Sequence, residues 1–114
     1  MILSIDAKNA ALQGIADRLN EGTNSVLSLY VGDDLAAEFT LTKPVEVSIS
    51  NAVMTFGVPQ RVVAATSGVI TAAKVLDAGG ALIAELDVST EVTLDKEQIY
   101  MGGYVSVVSL TMGV

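Results

Sequence analysis

The sequence of 114 residues contains no histidine, no cysteine and no tryptophan. Without histidine, no side chain has an unperturbed pKa near neutrality, so the usual general base is missing. Without cysteine there is no thiolate nucleophile, no disulfide and no cysteine-type zinc site. A chain without thiols tolerates an oxidising or a reducing compartment, so the sequence does not indicate which one applies. Catalysis would have to rest on carboxylates, lysine, serine or tyrosine. We therefore expect a protein that is not an enzyme and that has no catalytic residue, cofactor or metal.

Long apolar runs and basic clusters are also missing. The longest unbroken apolar runs are about four residues, whereas a membrane helix needs roughly 20. The apolar start, residues 1–5, has no basic flank and is too short for a signal peptide. The six Lys and Arg residues are scattered singly along the chain. Together with 13 Asp and Glu residues, they give a net charge of −7. Because phosphate contacts need clustered cations, we expect neither a nucleic acid nor a membrane as partner.

Small aliphatic side chains dominate what is present. Hydrophobic residues make up 51% of the chain and aromatic residues only 4%, with a mean hydropathy of +0.56. This length predicts one domain, residues 1–114, with a single core built from Val, Ala, Leu and Ile. A high apolar fraction without a membrane segment indicates that some apolar surface is buried against partners.

An apolar stripe at helical spacing predicts one helix over residues 6–20. The stripe consists of Leu12, Ile15, Ala16 and Leu19. We expect Asp6 to be the N-cap and Gly22 to end the helix. Gly14 has two interpretations: it is a tolerated glycine, or it allows another backbone to approach closely.

Short β-forming segments, separated by turn signals at intervals of roughly 8–12 residues, follow from about residue 26 to 112. The expected strands are residues 26–31, 35–42, 45–50, 52–56, 61–66, 69–76, 81–88 and 104–112. This pattern predicts a mainly β fold, an antiparallel β-sandwich of jelly-roll-like type with one short N-terminal α-helix.

The last of these segments is the richest in β-formers. It follows the turn signal Gly102-Gly103. Strict alternation places Tyr104, Ser106, Val108, Leu110 and Met112 on one face. The opposite face also carries apolar residues, so we expect a central strand that is covered on both sides, by a second sheet and by a helix or another subunit.

Acidic pairs are the candidate reactive groups. Glu85 and Asp87 share one strand face at a separation of about 6–7 Å, which lies in the range of a glycosidase acid pair. Asp33-Asp34 and the pair Asp95 and Glu97 offer oxygens to a hard cation. A solvated strand face and ordinary turns explain these residues better, because aspartate and glycine form turns on their own account.

Exposed apolar residues are the candidate interface. The pentapeptide 1–5 is costly to leave in water, and we expect it to pack against a neighbouring subunit. Tyr30, Tyr100 and Tyr104 form a binding platform or, more often for such tyrosines, sit in a sheet with one wet edge. The expected interface residues are Met1, Ile2, Leu3, Ile5, Tyr100, Met101 and Tyr104.

The order of these segments resembles a family of small virion proteins of tailed bacteriophages. The matching segments are residues 29–32 (Leu-Tyr-Val-Gly), 35–41, 67–72 (Ser-Gly-Val-Ile-Thr-Ala), 76–80 (Leu-Asp-Ala-Gly-Gly) and 102–111. Between residues 51 and 60 the chain departs from the family, because Met54, Phe56 and Pro59 replace a loop rich in glycine and alanine.

The resemblance implies a capsid decoration, or cement, protein with a β-sandwich fold. Its partners would be the major capsid protein and itself, as a homodimer or homotrimer. It would be made in the bacterial host cytoplasm and located on the capsid surface of the virion. No catalytic residue is carried over.

Three alternatives stay open. A tail or head–tail connector protein would have the same composition with ring symmetry. A carbohydrate-binding β-sandwich module would stack sugars on exposed aromatic residues, and the lack of tryptophan counts against it. A carboxylate-dependent hydrolase is the weakest.

Overall fold

A computed structural model describes residues 2–114, which form one helix and twelve strands. The helix α1 is Ile5–Leu19. The strands are β1 Val26–Val31, β2 Asp34–Thr40, β3 Glu46–Ser50, β4 Val53–Phe56, β5 Val62–Val63, β6 Gly68–Val69, β7 Ala72–Leu76, β8 Leu82–Leu86, β9 Val92–Leu94, β10 Gln98–Ile99, β11 Tyr104–Val105 and β12 Val107–Gly113.

Helix α1 begins one residue earlier than expected, and its N-cap is Ser4 rather than Asp6. The Ser4 backbone is extended, and its hydroxyl accepts the Ala7 N–H at 3.1 Å, which satisfies one free donor of the first turn. Asp6 lies inside the first turn, where its charge still complements the helix dipole. The chain leaves the helix through Gly22, whose φ of +74° is a left-handed conformation that favours glycine.

The predicted stripe of α1 faces the core, and the helix packs against β3 and β4. Leu12, Ala16 and Leu19 are buried, and Ile15 is half-buried. Two asparagines fasten the helix along this edge of the protein. Asn9 Oδ1 accepts the Ala52 N–H and Asn20 Oδ1 accepts the Val45 N–H, both at 2.9 Å. Side-chain hydrogen bonds from its second turn and from its C-cap therefore hold the helix, in addition to its apolar face.

The strands form two four-stranded sheets and two short ribbons, and every strand pair is antiparallel. The first sheet has the order β2-β1-β7-β8, and the second has the order β3-β4-β12-β9. One ribbon pairs β5 with β11, and the other pairs β6 with β10. The fold is thus mainly β with antiparallel sheets and one helix, as the sequence predicted.

Both sheets and the helix contribute to one cluster of buried hydrophobic residues. In the first sheet, Phe39, Leu27 and Val75 are cross-strand neighbours in one buried row. In the second sheet, Met54 and Met112 are paired and buried. Aliphatic side chains with few aromatics fill this core, in agreement with the composition.

The last strand is central, but within this chain it is not covered on both sides. Strand β12 lies between β4 and β9, yet Val108 is 59% exposed and Ser109 is also exposed. A bulge between Val107 and Ser109 breaks the alternation. Val107 and Leu110, three residues apart, are therefore both buried. The prediction of one continuous face from Tyr104 to Met112 is wrong for this reason.

Candidate functional site

The first acidic pair, Glu85 and Asp87, lies in solvated positions. Glu85 is exposed in β8, directly opposite Lys74 of β7. Asp87 follows the strand, and its carboxylate accepts the Thr90 hydroxyl while its N–H donates to the Glu91 carboxylate at 2.9 Å. Asp87 and Glu91 thus stabilise the turn before β9, which supports the structural interpretation of this pair.

The other acidic residues also serve turns. Asp33 lies in the turn between β1 and β2, and Asp34 begins β2. Asp95 accepts backbone N–H groups from Lys96 at 2.8 Å and from Ser106 at 3.3 Å. Within residues 2–114, no three Asp or Glu side chains come together in a way that could hold a metal ion.

The three tyrosines do not form one platform. Tyr30 is half-buried in the first sheet, with Lys74 Nζ 5.0 Å from the centre of its ring. Tyr100 and Tyr104 are 67% and 61% exposed and lie at the two ribbons. Only these two belong to an exposed apolar surface.

Tyr100, Met101 and Tyr104 lie along the two ribbons, which also carry two exposed valines that sequence reasoning missed. Val63 is paired with Tyr104 across one ribbon, and Val69 lies in the other ribbon. All five side chains are exposed. We call this set the ribbon patch: Val63, Val69, Tyr100, Met101 and Tyr104. The two valines could have been found only from the strand pairing, because alternation over two-residue strands gives no signal.

Hydrogen bonds between two connecting segments hold the ribbon patch in place. Gly102 N–H donates to the Ala64 carbonyl at 3.0 Å, and Ala64 N–H donates to the Gly103 carbonyl at 2.8 Å. The Met101 N–H donates to Ser67 Oγ at 2.8 Å. The exposed side chains are therefore presented by a fixed backbone, which lowers the entropy lost on binding.

The second group of expected interface residues lies at the start of α1. Ile2 is 96% exposed, Ile5 is exposed in the first helical turn, and Leu3 is half-buried. Met1 lies outside the described residues. Residues 2–4 form no strand, and Ser4 caps the helix. Ile5 was expected to precede the helix, but it is the first helical residue. We call Ile2 and Ile5 the N-terminal pair.

The ribbon patch and the N-terminal pair lie near opposite ends of β12. Tyr104 is three residues before the first residue of β12. At the other end, the Val114 N–H donates to the carbonyl of Ala52, whose own N–H donates to Asn9, one helical turn from Ile5. Strand β12 has seven residues and spans roughly 20 Å. The two expected interface groups are therefore not one continuous surface.

The exposed faces of the two sheets differ in charge. In the first sheet, one cross-strand row contains the exposed Glu38 and Glu85 and the half-buried Lys74, with the buried Ser28 between Glu38 and Lys74. The corresponding row of the second sheet is uncharged, and its paired residues are Ser48, Thr55 and Thr111. A neighbouring pair on the second sheet is Ser109 and Thr93. The second sheet of this chain of net charge −7 thus has one uncharged row of hydroxyl side chains, and β12 crosses that row.

No helix within residues 2–114 is long and apolar enough to cross a membrane. Comparisons with protein-family models, curated proteins and solved structures found no match.

Proposed function

We propose that this chain is a structural virion protein of the decoration, or cement, type, which binds the outer surface of a phage capsid and stabilises it. The observation that carries the proposal is the position of two exposed apolar groups near opposite ends of β12. A protein with an attachment point at each end can join two neighbouring subunits of a shell. Its longest dimension is 42 Å, against 28 and 22 Å in the other directions.

The chemistry of the two ends suits protein contacts. Tyrosine and methionine are enriched at interface cores, and tyrosine contributes large contact area for few rotatable bonds. The ribbon patch supplies two tyrosines and one methionine on a fixed backbone. The N-terminal pair supplies two isoleucines that are otherwise costly to leave in water.

The uncharged row of the second sheet extends this argument. Burying an unpaired charge at an interface is expensive, whereas serine and threonine hydroxyls find partners or water easily. The row Ser48, Thr55 and Thr111 can therefore approach a shell without desolvating a charge. The acidic remainder of the surface keeps the free protein in solution.

Stabilisation of the shell follows from linkage. A ligand that binds the assembled shell and not its separated subunits shifts the equilibrium toward the assembled state. The partners in this proposal are the major capsid protein and further copies of this chain, as a homodimer or homotrimer. The two four-stranded sheets would pack face to face as a β-sandwich of jelly-roll-like type, an arrangement supported by their shared core cluster.

The experiment is a sedimentation assay with purified heads that lack this protein. Added wild-type protein is expected to co-sediment with heads to saturation and not with separated tails. A variant with Tyr100→Ser, Met101→Ser and Tyr104→Ser is expected to bind about tenfold or more weakly, because aromatic anchors carry much of an interface's energy. Leu82→Ser is the matched control, since this side chain is 52% exposed on β8 of the first sheet, outside the ribbon patch and the N-terminal pair.

Binding to tails or connectors in place of heads would overturn the capsid assignment in favour of a tail or head–tail connector protein. Unchanged binding by the triple variant would remove the ribbon patch from the interface. Circular dichroism melting of each variant shows whether it is folded before its binding is interpreted.

A further inference from the structure

Arg61 is held in place by an aromatic ring and has no anionic partner among residues 2–114. Its guanidinium carbon lies 3.9 Å from the centre of the Tyr104 ring, a close cation–π contact. Arg18, by contrast, pairs with Asp77 at 2.9 Å. Stacking fixes the plane of the Arg61 guanidinium and uses its face, and it leaves the N–H groups at its edges to bind a ligand.

Arg61 also lines a cleft between β2 and the segment that leads into β5. The cleft has a volume of about 320 Å³, the lower end of the range for small-molecule sites. Its lining residues are Glu38, Thr40, Thr42, Gln60, Arg61 and Val62. Two hydroxyls, an amide, a carboxylate and a guanidinium thus surround a space that fits one sugar ring.

The two charges of the cleft select among ligands. Arginine binds a carboxylate through two parallel N–H···O bonds, which a single fixed guanidinium can make. Glu38 accepts hydrogen bonds from ligand hydroxyls and repels a second negative charge. Thr40, Thr42 and Gln60 supply both donors and acceptors for a polyhydroxylated ligand. Phosphate dianions and nucleic acids do not fit this pattern, because the chain is acidic and Glu38 lies in the same cleft.

We infer that the cleft binds a sugar that carries one carboxylate, with Arg61 on the carboxylate and Glu38 on ring hydroxyls. This site adjoins the ribbon patch at Tyr104 but differs from it, because the cleft lies on the exposed face of the first sheet and none of its lining residues belongs to the ribbon patch. Tyr104 belongs to both surfaces and is therefore left unchanged in the test.

The test is a titration of the ¹⁵N-labelled full chain with sodium glucuronate, followed by amide chemical shifts, at constant ionic strength. The amides of residues 38–42 and 60–62 are expected to shift and saturate. Glucose, which lacks the carboxylate, is expected to bind about tenfold or more weakly, as is glucuronate to Arg61→Gln. Lys96→Gln, which removes another exposed cation, is the matched control and should bind like the wild type.

Further arms define the ligand. Glu38→Gln should admit glucose 6-phosphate, which the wild type rejects. A tetrasaccharide that ends in glucuronate distinguishes a glycan chain end from the free monosaccharide, and binding of either supports the inference. The inference is overturned if glucuronate gives no saturable shifts, if glucose binds equally well, or if Arg61→Gln binds like the wild type. Head binding by Glu38→Gln, which alters the cleft at a residue outside the ribbon patch, should be unchanged, so this test and the sedimentation assay can fail independently.

Discussion

The guanidinium of Arg18 lies 2.9 Å from the carboxylate of Asp77 and joins the last turn of α1 to the β7–β8 hairpin. Asp77 also accepts the Ala81 N–H at 2.8 Å and the Gly79 N–H at 3.0 Å. The Ala81 N–H, followed by the bond from Arg18, holds the pKa of Asp77 below its ordinary value of 3.8. One carboxylate thus closes the hairpin turn and anchors the helix.

This lowered pKa predicts a dependence of stability on pH. Because the folded pKa lies below the unfolded one, the contribution of Asp77 is fully present above about pH 4. It is lost as the pH falls through 3.8 and then through the folded pKa. The melting temperature of Asp77→Asn should therefore lie below that of the wild type at pH 6, and the difference should shrink toward pH 2.5. Asp33→Asn, in a turn with no hydrogen bond from that side chain to residues 2–114, is the control. A difference that stays constant with pH would contradict this account.

A second prediction concerns the packing of the helix. Leu19, the last residue of α1, is fully buried in the core. Leu19→Ala should therefore lower the free energy of unfolding by about 2–5 kcal/mol. Leu35→Ala removes the same atoms from a side chain that is 43% exposed and should cost less than about 1 kcal/mol. Urea unfolding measures both. If the two variants had equal stability, α1 would not be part of the core.

A third prediction contrasts two glycines. A Cβ at Gly68 would lie 2.6 Å from Val31 Cγ1, and the φ of +144° is strained for other residues. Gly68→Ala should therefore lower stability by about 1–3 kcal/mol. A Cβ at Gly14 would meet no atom of residues 2–114 within 4 Å, so no other backbone of this part of the chain approaches it closely. Gly14→Ala should raise stability by up to about 1 kcal/mol, because alanine favours a helix. Thermal melting would contradict both arguments if the two changes acted in the same direction.

The sequence predicted the elements with a strong period and missed the short ones. Helix α1 and strand β1 are recognisable because their apolar spacing continues over several turns or residues. Strands β9 and β10 have only three and two residues, too few for an alternation to appear. The bulge after Val107 was also hidden, since it depends on pairing with β9.

The candidate site was predictable only in part. Tyr100, Met101 and Tyr104 could be predicted as interface residues because these large apolar side chains flank a glycine turn. The contributions of Val63 and Val69, and the contact of Arg61 with Tyr104, come from pairing between segments roughly 30–40 residues apart. Likewise, Ser4 and Asp6 are both good N-caps in a sequence, and backbone geometry decides between them.

Two-ended attachment is tested most directly by the temperature at which decorated heads release their DNA. The N-terminal end is altered by Ile2→Ser with Ile5→Ser, because deleting residues 1–5 would also remove the Ser4 cap. At saturating protein, this variant and the ribbon-patch triple variant should each still bind heads through the remaining end. Heads decorated with either variant should nevertheless release DNA at the same temperature as undecorated heads. Wild type and the control Leu82→Ser should raise the release temperature. If either one-ended variant protected heads as well as the wild type, the protein would not act by bridging two subunits.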